Sequence, residues 1–162
     1  MTVQPTNMQP FEKSRKRPKV GDVFVIHIPQ AGFLFGRLIS TEAVWTHSSS
    51  AKGANLVYIY AGSHGSPEAT FNDSPDNLLI APIFTNNLPW SRGYFKTIRN
   101  EEIQPHQKLS RHAFKSFSQG KYFDELGRQV LEPQEPIGVF ALDSFATIDD
   151  QISDALGIPR AS

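Results

Sequence analysis

The chain has 162 residues, of which 39% are hydrophobic and 20% charged, values typical of one soluble globular domain with a sizeable core. Cysteine is absent, which excludes disulfides, thiolate catalysis and metal sites that need sulfur. No run of residues is apolar enough for a membrane span, and the N-terminus lacks the apolar core of a signal peptide. We therefore expect a cytoplasmic protein without membrane association.

Charge is unevenly distributed along the chain, although the formal net charge is zero. The stretch "KSRKRPK" at residues 13–19 is strongly basic, whereas residues 122–156 carry eight acids against the single Arg128. The N-terminal stretch is also polar and rich in proline, without hydrophobic periodicity. We predict a flexible basic arm over residues 1–19 and one α+β domain over residues 20–162. Such an arm either solubilises the chain or binds phosphate groups.

Runs of β-branched and aromatic residues predict the strands. "GDVFVIHI" and "FLFGRLIS" predict a hairpin that turns near Gly32, and Gly36 in its second strand predicts a bulge or a close backbone approach. The segment from 101 to 121 is compatible with a strand or a short helix. Further strands are predicted at 55–62, 77–84, 92–100 and 137–144.

The C-terminal segment "FATIDDQISDALGIP" predicts a helix. Thr147 is the expected N-cap, and Gly157 with Pro159 ends the helix. One apolar stripe is formed by Ile148, Ile152, Ala155 and Leu156. Many short strands before a closing helix predict an α+β fold, mostly β, built on a strongly bent antiparallel sheet or a small SH3-like barrel.

Catalytic and metal-binding patterns are not found in the sequence. The five histidines lack the spacing of a metal site, and there is no nucleophile loop and no glycine-rich phosphate loop. We therefore expect no enzyme activity, no metal and no cofactor.

The segment at residues 78–103 combines aromatic and cationic side chains, notably Trp90, Arg92 and Tyr94. This composition is typical of hot spots in protein interfaces. It also suits stacking platforms for single-stranded nucleic acid. A third interpretation places Trp90 and Phe95 in the core, with the cations as solvated neighbours.

Several spaced blocks resemble the immunity protein 26 family of bacterial polymorphic toxin systems, over roughly residues 18–159. The blocks are "PKVGDVFVIHIP", "GFLFGRLIS", "LLIAPIFTNNLPWSRGYFKTIRN", "KYFDELGRQV" and "PIGVFALDSFATIDDQISDALGIP". The resemblance implies a non-enzymatic protein that binds and neutralises a cognate toxin, with nucleic acid an unlikely partner. It predicts no oligomeric state.

An acidic surface would suit a toxin that is a nuclease, since nucleases are basic where they hold phosphate. Such a surface could equally be a plain solvated face. The candidate residues are Asp124, Glu125, Asp143, Asp149, Asp150 and Asp154.

Two alternatives stay open. The start of the predicted barrel also resembles mRNA-interferase toxins, which would make the protein an endoribonuclease, although no clear Arg with Ser/Thr set accompanies it. A nucleic-acid-binding accessory domain could instead use the basic arm with "WSRGYFK", against which the neutral overall charge argues.

Overall fold

The structure is a computed structural model that describes residues 5–162. The predicted α+β class, mostly β with a C-terminal helix, is confirmed. The elements in chain order are β1 (Asp22–Ile28), β2 (Gly32–Ala43), β3 (Ala54–Ile59), β4 (Ile83–Thr85), α1 (Leu88–Ser91), β5 (Lys96–Asn100), a 3₁₀ turn (Pro105–Gln107), β6 (Ala113–Ser116), β7 (Lys121–Phe123), β8 (Ile137–Val139), β9 (Leu142–Asp143) and α2 (Phe145–Leu156).

The strands form two open sheets. The larger sheet has the order β5-β1-β2-β3-β4-β9 and the smaller one β7-β6-β8. All pairs are antiparallel except β4–β9 and β6–β8. The predicted alternative of a closed barrel is wrong, because edge strands β5 and β9 do not pair with each other. β5 is polar and exposed and β9 has two residues, so neither offers a long apolar strand for closure.

The first hairpin, β1–β2, confirms the prediction from the opening strands, with Ile28 opposite Gly32. Gly36 lies where β2 passes over an aromatic ring. A Cβ at this position would lie 2.3 Å from Cζ of Phe24 and 2.6 Å from the carbonyl oxygen of Tyr58. The predicted close approach at Gly36 is therefore confirmed, and only glycine fits there.

Both faces of the larger sheet are buried, which explains why its strands are apolar at successive positions. One face packs against α2 through Ile148 and Ile152. The other face packs against the smaller sheet, where the ring centroids of Phe84 and Phe114 lie 4.1 Å apart. The smaller sheet is therefore held to the larger one by aromatic contacts.

Two predicted strands are shorter than expected. The strand predicted at 77–84 is regular only from Ile83 onward, while Leu78 makes an isolated bridge to Tyr60. The strand predicted at 92–100 begins at Lys96, because residues 88–91 form one helical turn with Pro89 near its start. Proline fits the first turn of a helix since its missing N–H would have no partner there.

Helix α2 ends as predicted but starts earlier. Gly157 caps its C-terminus with a φ of 71°, in the left-handed region. The N-cap is Ser144, whose side chain accepts a hydrogen bond from the Thr147 N–H, so the prediction of Thr147 as cap is wrong. Ala155 is exposed, which narrows the predicted apolar stripe.

The segment before β1 is partly packed. Met8 is 1% exposed and belongs to the core that α2 covers. The Gln9 N–H donates to the His27 carbonyl oxygen, and the Phe11 N–H donates to that of Gly93, each at 2.8 Å. Residues 7–11 therefore pack against the domain that follows them, and the division into arm and domain stays a prediction. A single apolar side chain among polar neighbours gives no periodicity from which to predict this packing.

Candidate partner-binding surfaces

Asp149 is buried rather than presented to a partner, at 1% exposure. Its Oδ1 accepts a hydrogen bond from the Met8 N–H, and its Oδ2 accepts one from the Asn7 N–H, both at 2.8 Å. A carboxylate that accepts two backbone N–H groups is a strong internal anchor. The N-terminal segment therefore occupies the Asp149 carboxylate in this structure, and a partner contact of Asp149 stays a prediction.

The remaining acids near α2 are partly exposed but make internal contacts. Nη2 of Arg160 lies 2.7 Å from Oδ2 of Asp154, and its Nη1 lies 3.8 Å from Oδ2 of Asp150. Hydrogen bonding to Arg160 lowers the pKa of Asp154. Burial raises the pKa of Asp143, whose Oδ2 accepts a hydrogen bond from Gln151. One cation thus partly neutralises the acidic surface of α2.

Glu125 belongs to a chain of polar contacts that joins the two sheets. Its Oε2 lies 2.9 Å from Nδ1 of His112, and Nε2 of His112 lies 2.6 Å from the Tyr58 hydroxyl. The hydroxyl also accepts the Leu109 N–H, and burial raises the pKa of Tyr58 to about 12. Asp124 is nearby but serves a turn, where it accepts the backbone N–H of residues 126 and 128. Both acids therefore have structural roles.

The His112 contact makes a testable contribution to acid stability. Bonding to His112 holds the pKa of Glu125 below its ordinary value of 4.5. A carboxylate with a lowered pKa in the folded state stabilises the fold above its unfolded pKa, and that stability is lost as the pH falls through the folded pKa. We expect Glu125→Gln to lose less stability than the wild type on acidification below about pH 5. Urea denaturation of both proteins at pH values above and below 5 measures their free energies of unfolding. Equal losses of this free energy in the variant and the wild type would contradict the prediction.

The segment at residues 78–103, with its aromatic and cationic side chains, is divided between core and surface. Trp90 and Phe95 are 3% and 1% exposed, so the core interpretation is confirmed for both rings. Tyr94 is also buried, at 6% exposure, and partner contacts of Trp90 and Tyr94 stay a prediction. The Tyr94 ring stacks on Phe145 with 5.0 Å between centroids. Arg92 is exposed, with its guanidinium carbon 5.9 Å from the centre of the Phe145 ring.

Two large apolar side chains are strongly exposed, although the sequence did not single them out. Phe117 follows β6 at 71% exposure, and Leu131 is 83% exposed in the segment after β7. Single exposed apolar side chains are common on protein surfaces, so neither marks a binding site by itself.

The fold and its surfaces can be compared with known proteins. The sequence profile of immunity protein 26 matches residues 19–124. The chain belongs to the immunity protein 26 family. The matched region begins shortly before β1 and ends just after β7. It therefore includes the first hairpin and strands β6 and β7 of the smaller sheet. No curated protein and no solved structure matches the chain.

Within residues 5–162, no group of three or more His, Asp or Glu side chains is arranged to hold a metal ion. None of the helices there has the length and apolar character needed to cross a bilayer.

Proposed function

We propose that this immunity protein 26 family member binds a cognate toxin directly and neutralises it in the cell that produces both. The observation that carries the proposal is the family match over residues 19–124. A binding role needs a stable scaffold with accessible side chains, and the two sheets provide a rigid one. The protein then neutralises the toxin by binding to it and not by catalysing a reaction.

Coexpression tests this function. We expect cells that express the toxin gene adjacent to this one to survive only when the immunity protein is also expressed, and we expect the two proteins to co-purify. Survival without co-purification would contradict direct neutralisation. Death of cells that contain both proteins would contradict the function itself.

A nuclease is the proposed class of toxin, and the acidic side of α2 is one proposed contact. Asp150 and Asp154 are partly exposed, and within residues 5–162 Arg160 is their one ion-pair partner, so the pair keeps one excess negative charge. Replacing both with Lys should slow association with a basic toxin and change its salt dependence. Glu68→Lys with Asp76→Lys is the matched control, because those exposed acids lie in the loop between β3 and β4. Equal association rates for the two double variants would contradict this contact.

Absence of nuclease activity in the immunity protein itself is a further prediction. The purified chain should leave RNA intact under conditions in which a known ribonuclease degrades it. Gel analysis of the RNA tests this. Reproducible cleavage that a point substitution in this chain abolishes would instead support the endoribonuclease alternative.

A further inference from the structure

A basic groove lies between the N-terminal segment and the edge of the larger sheet. Its volume is about 710 Å³, and it runs between residues 12–19 and edge strand β5, with Trp90 and Phe95 also lining it. Five cations line it: Lys13, Lys16, Arg17, Lys19 and Lys96. One side consists mainly of residues that precede the family-matched region, and the other side, β5, lies within that region, so only the fold creates this groove.

The charge of the groove is not cancelled internally. None of the five cations forms a salt bridge with any residue in the range 5–162. Two acids, Glu12 and Asp22, also line the groove. Asp22 is 6% exposed and accepts hydrogen bonds from the Lys19 N–H and from Asn100. A net positive potential therefore remains for an anionic ligand.

A buried donor at the groove lacks a partner. Trp90 is 3% exposed, and its Nε1 makes no hydrogen bond within the described chain. Buried N–H groups without an acceptor are rare in folded proteins. Because Trp90 lines the groove, its indole can report on binding there.

The edge strand determines which kind of anion fits. Four of the five β5 residues are exposed, and in the described chain only β1 pairs with the strand. An exposed edge can accept an added strand from a partner. Single-stranded nucleic acid binds instead by stacking bases on exposed rings, and the two rings here, Trp90 and Phe95, are buried. These features favour an acidic polypeptide.

We infer that the groove binds an extended acidic segment of the toxin, whose carboxylates face the five cations while its backbone lies along β5. This inference rests on the proposed function for the identity of the partner. The groove itself predicts the chemistry of the bound segment, which is polypeptide, extended and negatively charged.

Intrinsic fluorescence provides the test, because the chain has two tryptophans and Trp45 lies outside the groove. In a Trp45→Phe background, Trp90 is the reporter. Toxin, poly-glutamate and a short oligothymidylate are titrated separately. The groove variant carries Lys13→Glu, Lys16→Glu and Arg17→Glu. The control carries Arg15→Glu, Lys121→Glu and Arg128→Glu, the same charge change at exposed positions that do not line the groove.

We expect toxin and poly-glutamate to shift the Trp90 emission, and to bind the groove variant at least about tenfold more weakly than the control variant. Thermal melting confirms that both variants fold. Equal affinities for the two variants would overturn the inference while leaving the toxin function intact. Tighter binding of oligothymidylate than of poly-glutamate would overturn the choice of polypeptide. Binding of poly-glutamate without binding of toxin would refute the proposed function but not the anion-binding role of the basic groove, and binding of neither would refute both.

Discussion

Asp149→Asn is expected to lower the free energy of unfolding by about 2–4 kcal/mol. The carboxylate accepts the backbone N–H groups of Asn7 and Met8 through separate oxygens. An amide has one acceptor oxygen, so its NH₂ group would face the second backbone donor. Both donors lie next to the buried Met8 side chain, and little water can replace the lost bond.

The neighbouring position supplies the matched control. Asp150→Asn makes the same carboxylate-to-amide change one residue along α2. The Asp150 side chain is 41% exposed, however, and its Oδ2 lies 3.8 Å from Nη1 of Arg160. We expect a change below about 0.5 kcal/mol there. Urea denaturation of both variants measures the difference. Equal effects at the two positions would contradict the anchoring role of Asp149.

Removal of residues 1–11 extends the same test. Because the truncation and Asp149→Asn remove the same contacts, their effects should be clearly less than additive. Full additivity would show that residues 7–11 and Asp149 stabilise the fold independently, which the observed hydrogen bonds do not allow.

Gly36→Ala is expected to destabilise the protein by about 3 kcal/mol. The added Cβ would meet the Phe24 ring at 2.3 Å and the Tyr58 carbonyl oxygen at 2.6 Å. The Phe24 ring cannot easily move aside, because it stacks on Phe95 with 4.2 Å between centroids and packs edge-on against Trp90. The backbone of β2 or β3 must therefore shift.

Gly65→Ala is the control for this substitution, since within residues 5–162 no atom beyond Gly65 and its two chain neighbours lies within 4 Å of the added Cβ. We expect a change of less than about 0.5 kcal/mol at Gly65. Thermal and urea denaturation measure both variants. A Gly36→Ala protein as stable as the Gly65→Ala protein would contradict the close packing of β2 over Phe24.

The local parts of the fold could be predicted from the sequence. The β1–β2 hairpin follows from dense β-branched residues around a short turn, and the end of α2 follows from Gly157. Both depend on neighbours in the chain. The packing of Met8 depends instead on Asp149, 141 residues away, and no local pattern indicates such a pair.

The candidate contacts were harder to predict for a related reason. Adjacent acids at 149 and 150 look equivalent in sequence, but α2 turns one toward the core and the other toward solvent. Trp90 likewise lies in the core, whereas Arg92 is exposed to solvent. The basic stretch at 13–19 and the segment around "WSRGYFK" are separate features of the sequence, and only the fold brings them to opposite sides of one groove.

A calorimetric titration of the purified toxin with this protein, with the activity of the toxin assayed in the same mixtures, tests the central claim most directly. The proposal predicts saturable binding and a loss of toxin activity in proportion to the fraction of toxin bound. A toxin that binds nothing, or that keeps its full activity when saturated, would contradict neutralisation by direct binding.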